Sequence, residues 1–194
     1  MVERIVLASG SPRRKQLLEW AEIAFDIIVK NTDESYPPEM PIDEVPVFIA
    51  RNKALAVQRD IIPGRVVLAA DTVVVLGDEI IGKPRDRQDA IDILSRLQDH
   101  EHRVITGVVM IRDSKEIAFA DSTSVLFHPL TLSQIEWYVD QYKPYDKAGA
   151  YAIQEWVGVV GIRSISGDFY NVMGLPVSRV VRELPGLLDE SLNA

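Results

Sequence analysis

Eleven consecutive residues, 66–76, form an apolar run rich in β-branched side chains, and Asp71 is its only charged residue. This composition predicts a buried β-strand. The run is also far shorter than the roughly 20 apolar residues that a membrane-spanning helix needs. An ionised carboxylate among apolar neighbours is costly unless a cation or a cleft at the strand end compensates it. Asp71 is therefore either a structural acid bonded to a neighbouring loop or part of a functional site.

Periodicity and capping residues on either side of this run predict further helices and strands. Residues 5–8 indicate a short buried strand. Because Ser11 is a good N-cap and Pro12 suits the first helical position, we expect a helix from there to about Trp20. The remaining predicted helices cover residues 43–58, 86–98 and 131–142 and one that opens at Pro176, and the remaining predicted strands cover residues 24–29, 79–81, 102–111, 116–127, 157–165 and 168–173.

Helices alternate in this pattern with long β-hairpins, which favours an α/β fold. A purely parallel sheet would need a helix between each pair of strands, so we expect a sheet of mixed strand direction. The chain has 194 residues, of which 47% are hydrophobic and 26% charged, as in an ordinary soluble globular protein. This length predicts a single domain, 1–194, or two small lobes around a shared cleft.

Charge and cysteine content exclude several classes of function. The 21 basic and 29 acidic side chains give a net charge of −8, which disfavours general binding of nucleic acid. The chain contains no cysteine, so disulfides, cysteine-ligated zinc and a cysteine nucleophile are all excluded. The apolar stretch 5–8 is too short for the hydrophobic region of an export signal. We expect a cytoplasmic protein without a membrane partner.

A second candidate for chemistry is the segment 9–14, SGSPRR, which lies at the start of the first predicted helix. Backbone N–H groups, small hydroxyl side chains and two guanidinium groups meet there, and each of them favours bound phosphate. The alternative is an ordinary capped helix with solvated arginines. Lys53, Lys83 and Lys147 could each add a positive charge for phosphate, although a lone lysine is usually solvated.

The segment 77–83, GDEIIGK, has the glycine and lysine spacing of a P-loop, but we reject that interpretation. A nucleotide-hydrolysing P-loop has Ser or Thr after the lysine, as a magnesium ligand, and a helix begins there. Here the next residue is Pro84, and the segment instead has the pattern of a hairpin. Lys83 thus remains a candidate only as a single cation.

Acidic side chains in two places are candidates for holding a hard cation such as magnesium. The three histidines have no spacing typical of a metal site. Asp33 and Glu34 lie in the polar, proline-bearing stretch 31–41, which has the composition of a loop. With Asp71 they could supply carboxylate oxygens to the cation. The alternative for the two loop acids is simple solvation.

Five short blocks occur in order along the chain: LASGSPRR at 7–14, ADT at 70–72, GKP at 82–84, DKAGAY at 146–151 and GLP at 174–176. A set of five blocks in order is far more specific than any one of them. Together they resemble the Maf family of septum-formation-inhibitor-like nucleotide pyrophosphatases, and the resemblance runs along nearly the whole chain.

This resemblance implies a nucleoside triphosphate pyrophosphatase, which forms a monophosphate and pyrophosphate with the help of a divalent cation such as Mg²⁺, Mn²⁺ or Co²⁺. It also implies an elongated mixed sheet with flanking helices that form two lobes around a central cleft, similar to inosine triphosphatase-like folds. The block at 146–151, followed by Gln154, resembles the branch of the family that acts on dTTP and UTP rather than on methylated GTP.

The resemblance also implies roles for individual residues. Asp71 matches the catalytic acid, thought to accept a proton from the attacking water and to bind metal. Glu34 matches an acidic position in a mobile loop, which we assign to the metal. Arg13, Thr72 and Gln154 match positions linked to substrate choice. The residues expected to contact the triphosphate are Ser9, Arg14, Lys53, Lys83 and Lys147.

The sequence departs from the family pattern at Ala152, Glu155 and Ala69, where glycine is frequent. Replacement of two glycines makes the segment 150–155 less flexible and more acidic than usual, which bears on base preference. The small change at Ala69 is expected to leave Asp71 in place.

Two other functions remain open at this point. One is the same hydrolysis on a different or modified base, and the other is a non-catalytic, nucleotide-binding regulator of cell division. A homodimer is also possible, with the aromatic-containing helix 136–142 as one face.

Overall fold

The structure is a computed structural model that describes residues 4–188, and its strands run in mixed directions. Within these residues, the strands are β1 (Ile5–Leu7), β2 (Phe25–Ile27), β3 (Val67–Leu76), β4 (Glu79–Ile81), β5 (Glu101–Arg112), β6 (Lys115–Phe127) and β7 (Ile162–Ser166). The helices are α1 (Pro12–Trp20), α2 (Val45–Gln58), α3 (Arg87–Leu97), α4 (Leu132–Tyr142), α5 (Trp156–Gly161), α6 (Phe169–Met173) and α7 (Val177–Glu183), with 3₁₀ turns at Ala148–Ala150 and Leu184–Gly186.

The strands form a sheet in the order β2-β1-β3-β5-β6-β7, and β4 pairs with β3. β1 is parallel to both β2 and β3, whereas β4 is antiparallel to β3 and β7 is antiparallel to β6. The predicted class, an α/β fold with a mixed sheet, is therefore confirmed.

The described residues cluster into two compact units. The first unit comprises residues 4–71, 106–121 and 174–188, and the second comprises residues 72–105 and 122–173. The strands β3, β5 and β6 each contain a boundary between the units. The expectation of one domain around a central cleft stays a prediction.

The core of the first unit forms where α2 packs on the sheet. The face of α2 that carries Ala50, Ala54 and Val57 is buried in one cluster with residues of β1, β3 and β5. Small alanine side chains let the helix backbone approach the strands closely. This packing fixes the position of Lys53, the residue that precedes Ala54 on α2.

Cap residues set the helix boundaries much as the sequence predicts. Ser11 is the N-cap of α1, with its side chain accepting from the Arg14 backbone N–H, and Pro12 is the first helical residue. Thr131 and Gln134 form a capping box at the start of α4. The segment 77–83 makes the β3–β4 hairpin and no helix begins at Lys83, which confirms the rejection of a P-loop.

The predicted hairpin of strands 157–165 and 168–173 is wrong. Only β7 is a strand there, and the short helices α5 and α6 flank it. The β-branched composition of residues 157–160 favours a strand, but tertiary contacts override this weak preference. In the helix, Val157 is buried while Val159 and Val160 face outward, and Gly158 lies so near the Ile153 carbonyl that a Cβ would meet its oxygen at 1.7 Å.

The described helices include none with both the length and the apolar character needed to cross a bilayer.

We expect Gly107→Ala to destabilise the first unit. A Cβ at Gly107 of β5 would lie 2.2 Å from the Val47 backbone nitrogen and 2.3 Å from the Pro46 carbonyl carbon, both in the first turn of α2. Because backbone cannot move aside as a flexible side chain can, we expect a loss of about 3 kcal/mol in the free energy of unfolding, measured by urea denaturation.

Gly82→Ala is the matched control, because a Cβ there meets nothing within 4 Å. This variant should stay within about 0.5 kcal/mol of the wild type. Equal stability of the two variants would contradict the close approach of α2 to β5.

Candidate active site

Asp71 lies in the middle of β3, and its charge is compensated by a lysine from α2. The Nζ atom of Lys53 donates a hydrogen bond to Asp71 Oδ1 at 2.7 Å. The Asp71 side chain is 15% exposed and the Lys53 side chain is 17% exposed, so the pair is largely shielded from solvent. Lys53 is thus the cation that a carboxylate in this apolar strand requires.

The same ammonium group also holds an acid from the long polar loop between β2 and α2. Lys53 Nζ lies 2.7 Å from Glu34 Oε1, in an ion pair whose carboxylate side chain is half-exposed. Beside it, the carboxylate of Asp33 accepts hydrogen bonds from the Ser35 hydroxyl and backbone N–H. These hydrogen bonds hold the pKa of Asp33 below its usual range. Lys53 therefore joins the loop to the strand through two carboxylates.

Arg14, in the first turn of α1, is the buried cation of this region. Its guanidinium donates to the Gly174 carbonyl at 2.8 Å and to Ser9 Oγ at 3.1 Å. Burial lowers the pKa of Arg14, and the negative charges of Asp71 and Glu34 oppose that effect. Arg14 thus lies within the electrostatic field of both carboxylates.

These contacts define what we call the Asp71 cluster: Ser9, Arg14, Glu34, Lys53 and Asp71. All five residues belong to the first unit, and all five are predicted site residues. Arg13, the neighbour of Arg14, is half-buried. The structure therefore brings together residues that are up to 62 positions apart in the sequence, as Ser9 and Asp71 are.

The remaining predicted site residues, Thr72, Lys83, Lys147 and Gln154, belong to the second unit. Lys147 is 8% exposed, and its ammonium lies 2.7 Å from Asp146 Oδ1 and 3.5 Å from Glu155 Oε1. Thr72 is half-buried, whereas Lys83 and Gln154 are exposed.

Backbone contacts join two of the predicted blocks of the second unit. The Gly149 N–H donates to the Gly82 carbonyl at 3.1 Å, next to Lys83. Gly149 has φ +70°, and a Cβ there would meet the Val74 side chain at 2.9 Å. Only glycine suits a position with both a left-handed backbone and so little space. The block at 146–151 is therefore held against the end of the β3–β4 hairpin.

Sequence analysis missed a buried polar pair that fixes this block. His102 on β5 is 2% exposed, and its Nε2 lies 2.7 Å from the Tyr151 hydroxyl. The rings of both residues also pack edge-to-face with Phe127. Burial lowers the pKa of His102 to about 4. The available signal was a histidine at the start of a mostly apolar predicted strand, and the sequence analysis considered this histidine only as a metal ligand.

A second missed contact involves Tyr138 of α4, whose hydroxyl donates to Glu155 Oε2. The sequence marked Glu155 as a departure from the family pattern, and Tyr138 lies within the predicted helix 131–142. It gave no sign that the two residues meet, because they lie on different elements.

The donor set of the Asp71 cluster suits a hard divalent cation in part. Glu34 and Asp71 offer carboxylate oxygens, the ligands that Mg²⁺ and Mn²⁺ prefer. Among residues 4–188, no group of three or more acidic or histidine side chains gathers as a metal site. Magnesium commonly takes one or two carboxylates together with phosphate oxygens of its substrate, and two carboxylates match that pattern.

Comparison with known proteins identifies the family. The model of the Maf-like protein family matches residues 4–187. The chain is 49% identical over 188 residues to the dTTP/UTP pyrophosphatase of Cytophaga hutchinsonii, which covers 97% of this chain and 86% of the relative. It is 45% identical over 182 residues to that of Parabacteroides distasonis, covering 93% and 94%.

This chain belongs to the Maf-like protein family. The resemblance inferred from the five sequence blocks is thereby confirmed. Among solved structures, the Ham1 protein of Staphylococcus aureus matches with a TM-score of 0.42 and 14% identity over 64% of this chain and 72% of that one. At such a score, the likeness carries no argument about this chain.

We expect His102 to make stability fall with acid. Its pKa is about 4 in the folded chain against an ordinary value of 6.5. Between these values the unfolded state binds a proton that the folded state does not, so the free energy of unfolding rises with pH. The contribution should be fully present above about pH 6.5 and decrease by about 3 kcal/mol as the pH falls to 4.

The measurement is urea denaturation of the wild type and of His102→Gln from pH 4 to 8. The variant lacks the titrating group, so its stability should depend less steeply on pH in this range. Identical slopes for both proteins would contradict a buried, neutral His102.

Proposed function

We propose that this chain hydrolyses dTTP and UTP to the nucleoside monophosphate and pyrophosphate. The observation that carries the proposal is the Lys53 ammonium shared between Asp71 and Glu34, an arrangement of a largely shielded base and a cation suited to triphosphate chemistry. Relatives that match nearly the whole chain bear the name of the same activity. A net charge of −8 is also consistent with a small anionic substrate that a few local cations hold.

In this proposal the cations of the site bind the triphosphate. Arg14 is already oriented by Ser9 and the Gly174 carbonyl, so little side-chain freedom is lost when it donates to a phosphate oxygen. Lys53, Lys83 and Lys147 each add one positive charge, and the N–H groups at the start of α1 add partial positive charge. These groups stabilise negative charge as it develops on the phosphate oxygens.

Asp71 is the proposed general base. Its carboxylate accepts a proton from a water molecule as the water oxygen bonds to phosphorus, and the α–β phosphoanhydride bond breaks to release pyrophosphate. Lys53 orients the carboxylate through Oδ1, and we assign Oδ2 to the water. The neighbouring apolar residues of β3 limit the number of other water molecules near the base.

A divalent cation belongs to this proposal, with Glu34 and Asp71 as its protein ligands. When bound, such an ion neutralises phosphate charge and polarises the phosphoryl group. Lys53 occupies the position between the two carboxylates in the described structure, so its ammonium would share them with the ion.

Base choice is assigned to Gln154, Thr72 and Arg13. An exposed glutamine amide can both donate to and accept from the edge of a pyrimidine, which makes Gln154 the main candidate.

We place the protein in the cytoplasm, where nucleoside triphosphates are made and used. A single functional domain is also part of the proposal. The homodimer stays a prediction, and its suggested face on α4 includes the exposed residues Trp137 and Tyr142.

We expect Asp71→Asn to lower kcat on dTTP by at least about 100-fold, because the amide cannot accept the proton from water. Asp78→Asn, an exposed acid in the β3–β4 turn, is the matched control and should retain wild-type kcat. Pyrophosphate release measures both, and circular dichroism checks that both variants are folded. Retained turnover in a folded Asp71→Asn protein would overturn the role of Asp71.

The substrate proposal is tested by pyrophosphate release from dTTP, UTP, dCTP, dGTP and modified nucleotides, with Mg²⁺, Mn²⁺ or Co²⁺ and with chelator. We expect dTTP and UTP to exceed the other nucleotides in kcat/KM by at least about tenfold, and chelator to abolish turnover. Preference for another base would retain the hydrolysis and reject the proposed substrates. Tight nucleotide binding without hydrolysis under every metal would favour the regulatory function.

A further inference from the structure

The segment that carries Gln154 is held at two points by one hydroxyl group. Tyr138 Oη donates to Glu155 Oε2 at 2.5 Å and accepts from the Ala152 backbone N–H at 3.3 Å. These two positions flank Ile153 and Gln154, and a hydrogen bond from the Glu155 backbone N–H to the Ala152 carbonyl at 3.1 Å already closes them into a turn. Tyr138 holds both ends of that turn. We call this arrangement the Tyr138 strap.

The strap is anchored to a packed helix of the second unit. Tyr138 is fully buried and stacks on Tyr142 of the same helix, with ring centroids 4.9 Å apart. The helix itself begins at a capping box and is tied to α3 by Arg87, which donates to both carboxylate oxygens of Asp140. Because Tyr138 belongs to α4, its hydrogen bonds hold the segment 152–155 in place relative to that helix.

The preceding residue of the segment is fixed in the same way. The Tyr151 hydroxyl meets His102 Nε2 on β5 at 2.7 Å. The two positions that the strap contacts, 152 and 155, are the two within the segment 150–155 at which this chain departs from the frequent glycines of the sequence pattern. At position 155 the glutamate supplies the side-chain acceptor, and at position 152 alanine restricts backbone freedom that glycine would allow.

We propose that Tyr138 and Glu155 are positioning residues that set base selectivity by holding Gln154 in one orientation. The inference rests on the proposed function, in which Gln154 recognises the base. An exposed side chain selects between bases only when its backbone is held in place, since a mobile amide adapts to either hydrogen-bond pattern. The strap provides that constraint without touching the nucleotide.

Glu155 also lies 3.5 Å from Lys147, so its charge offers a competing explanation for any effect of its removal. Glu155→Gln separates the two, because an amide oxygen still accepts from Tyr138 while the charge is lost. Glu155→Ala removes both the acceptor and the charge. Tyr138→Phe removes the hydroxyl and retains the ring, and Tyr142→Phe removes a tyrosine hydroxyl from the same helix as the matched control.

The first measurement is hydrogen–deuterium exchange of the segment 150–156 without nucleotide, which does not depend on activity. Loss of a hydrogen bond of ordinary strength should speed exchange about tenfold in Tyr138→Phe and Glu155→Ala. Glu155→Gln and Tyr142→Phe should exchange at the wild-type rate. Unchanged exchange in Tyr138→Phe would overturn the strap.

The second measurement is the ratio of affinities for α,β-imido analogues of dTTP and dGTP, which bind without being cleaved. We expect the ratio to fall about tenfold in Tyr138→Phe and in Glu155→Ala, and no further in the double variant, because both changes break the same strap. Glu155→Gln should retain the wild-type ratio. Equal weakening for both analogues, or loss of the ratio in Glu155→Gln, would overturn the proposal.

Hydrolysis by the wild type separates failure of this inference from failure of the proposed function. If the wild type cleaves neither dTTP nor UTP, the proposed function fails, while a selectivity ratio that falls in Tyr138→Phe still supports the strap. If the wild type cleaves dTTP and UTP but the affinity ratio for the two analogues is the same in Tyr138→Phe as in the wild type, the function stands and the strap proposal is overturned.

Discussion

The ion pair between Lys53 and Asp71 is the interaction on which the candidate site depends. A carboxylate in the middle of an apolar strand destabilises the fold unless its charge is compensated, and a lysine at 2.7 Å provides the compensation. The same ammonium meets Glu34, so the loop acid is drawn to the strand by electrostatics. Removal of either Lys53 or Asp71 would leave the charge of the other largely withdrawn from water. The residues proposed for the chemistry therefore also stabilise the fold.

This pair exists because α2 packs closely on the sheet. The small side chains of Ala50 and Ala54 face β-strand residues in the core, and Gly107 leaves room for the first turn of the helix. A helix at this distance places the adjacent Lys53 within reach of β3. Apolar packing therefore determines the electrostatic geometry, and Arg14, held by Ser9 and Gly174, adds a buried positive charge to the same field.

In the second unit, hydrogen bonds between side chains hold the predicted site residues in place. His102 fixes Tyr151, and Tyr138 fixes residues 152 and 155, so the block around Lys147 and Gln154 is held from two elements. The His102–Tyr151 pair is buried and the Tyr138–Glu155 pair is partly buried, so breaking either pair would leave a polar group with little access to water. Gln154, the residue proposed to recognise the base, is thus exposed, while the residues next to it are held by hydrogen bonds.

The sequence alone determined the mixed α/β class, most helix boundaries, the rejection of a P-loop and the family, because caps, periodicity and ordered motifs are local signals. It also marked Asp71 as an acid whose charge must be compensated, and it named Lys53 and Arg14 as substrate contacts and Glu34 as a metal ligand. Only the tertiary structure decided that Lys53 is the partner of Asp71 and that Tyr138 meets Glu155. It also turned residues 156–161 into a helix against their β-branched composition. These outcomes depend on contacts between residues far apart in the sequence, and no local pattern encodes which distant side chains will meet.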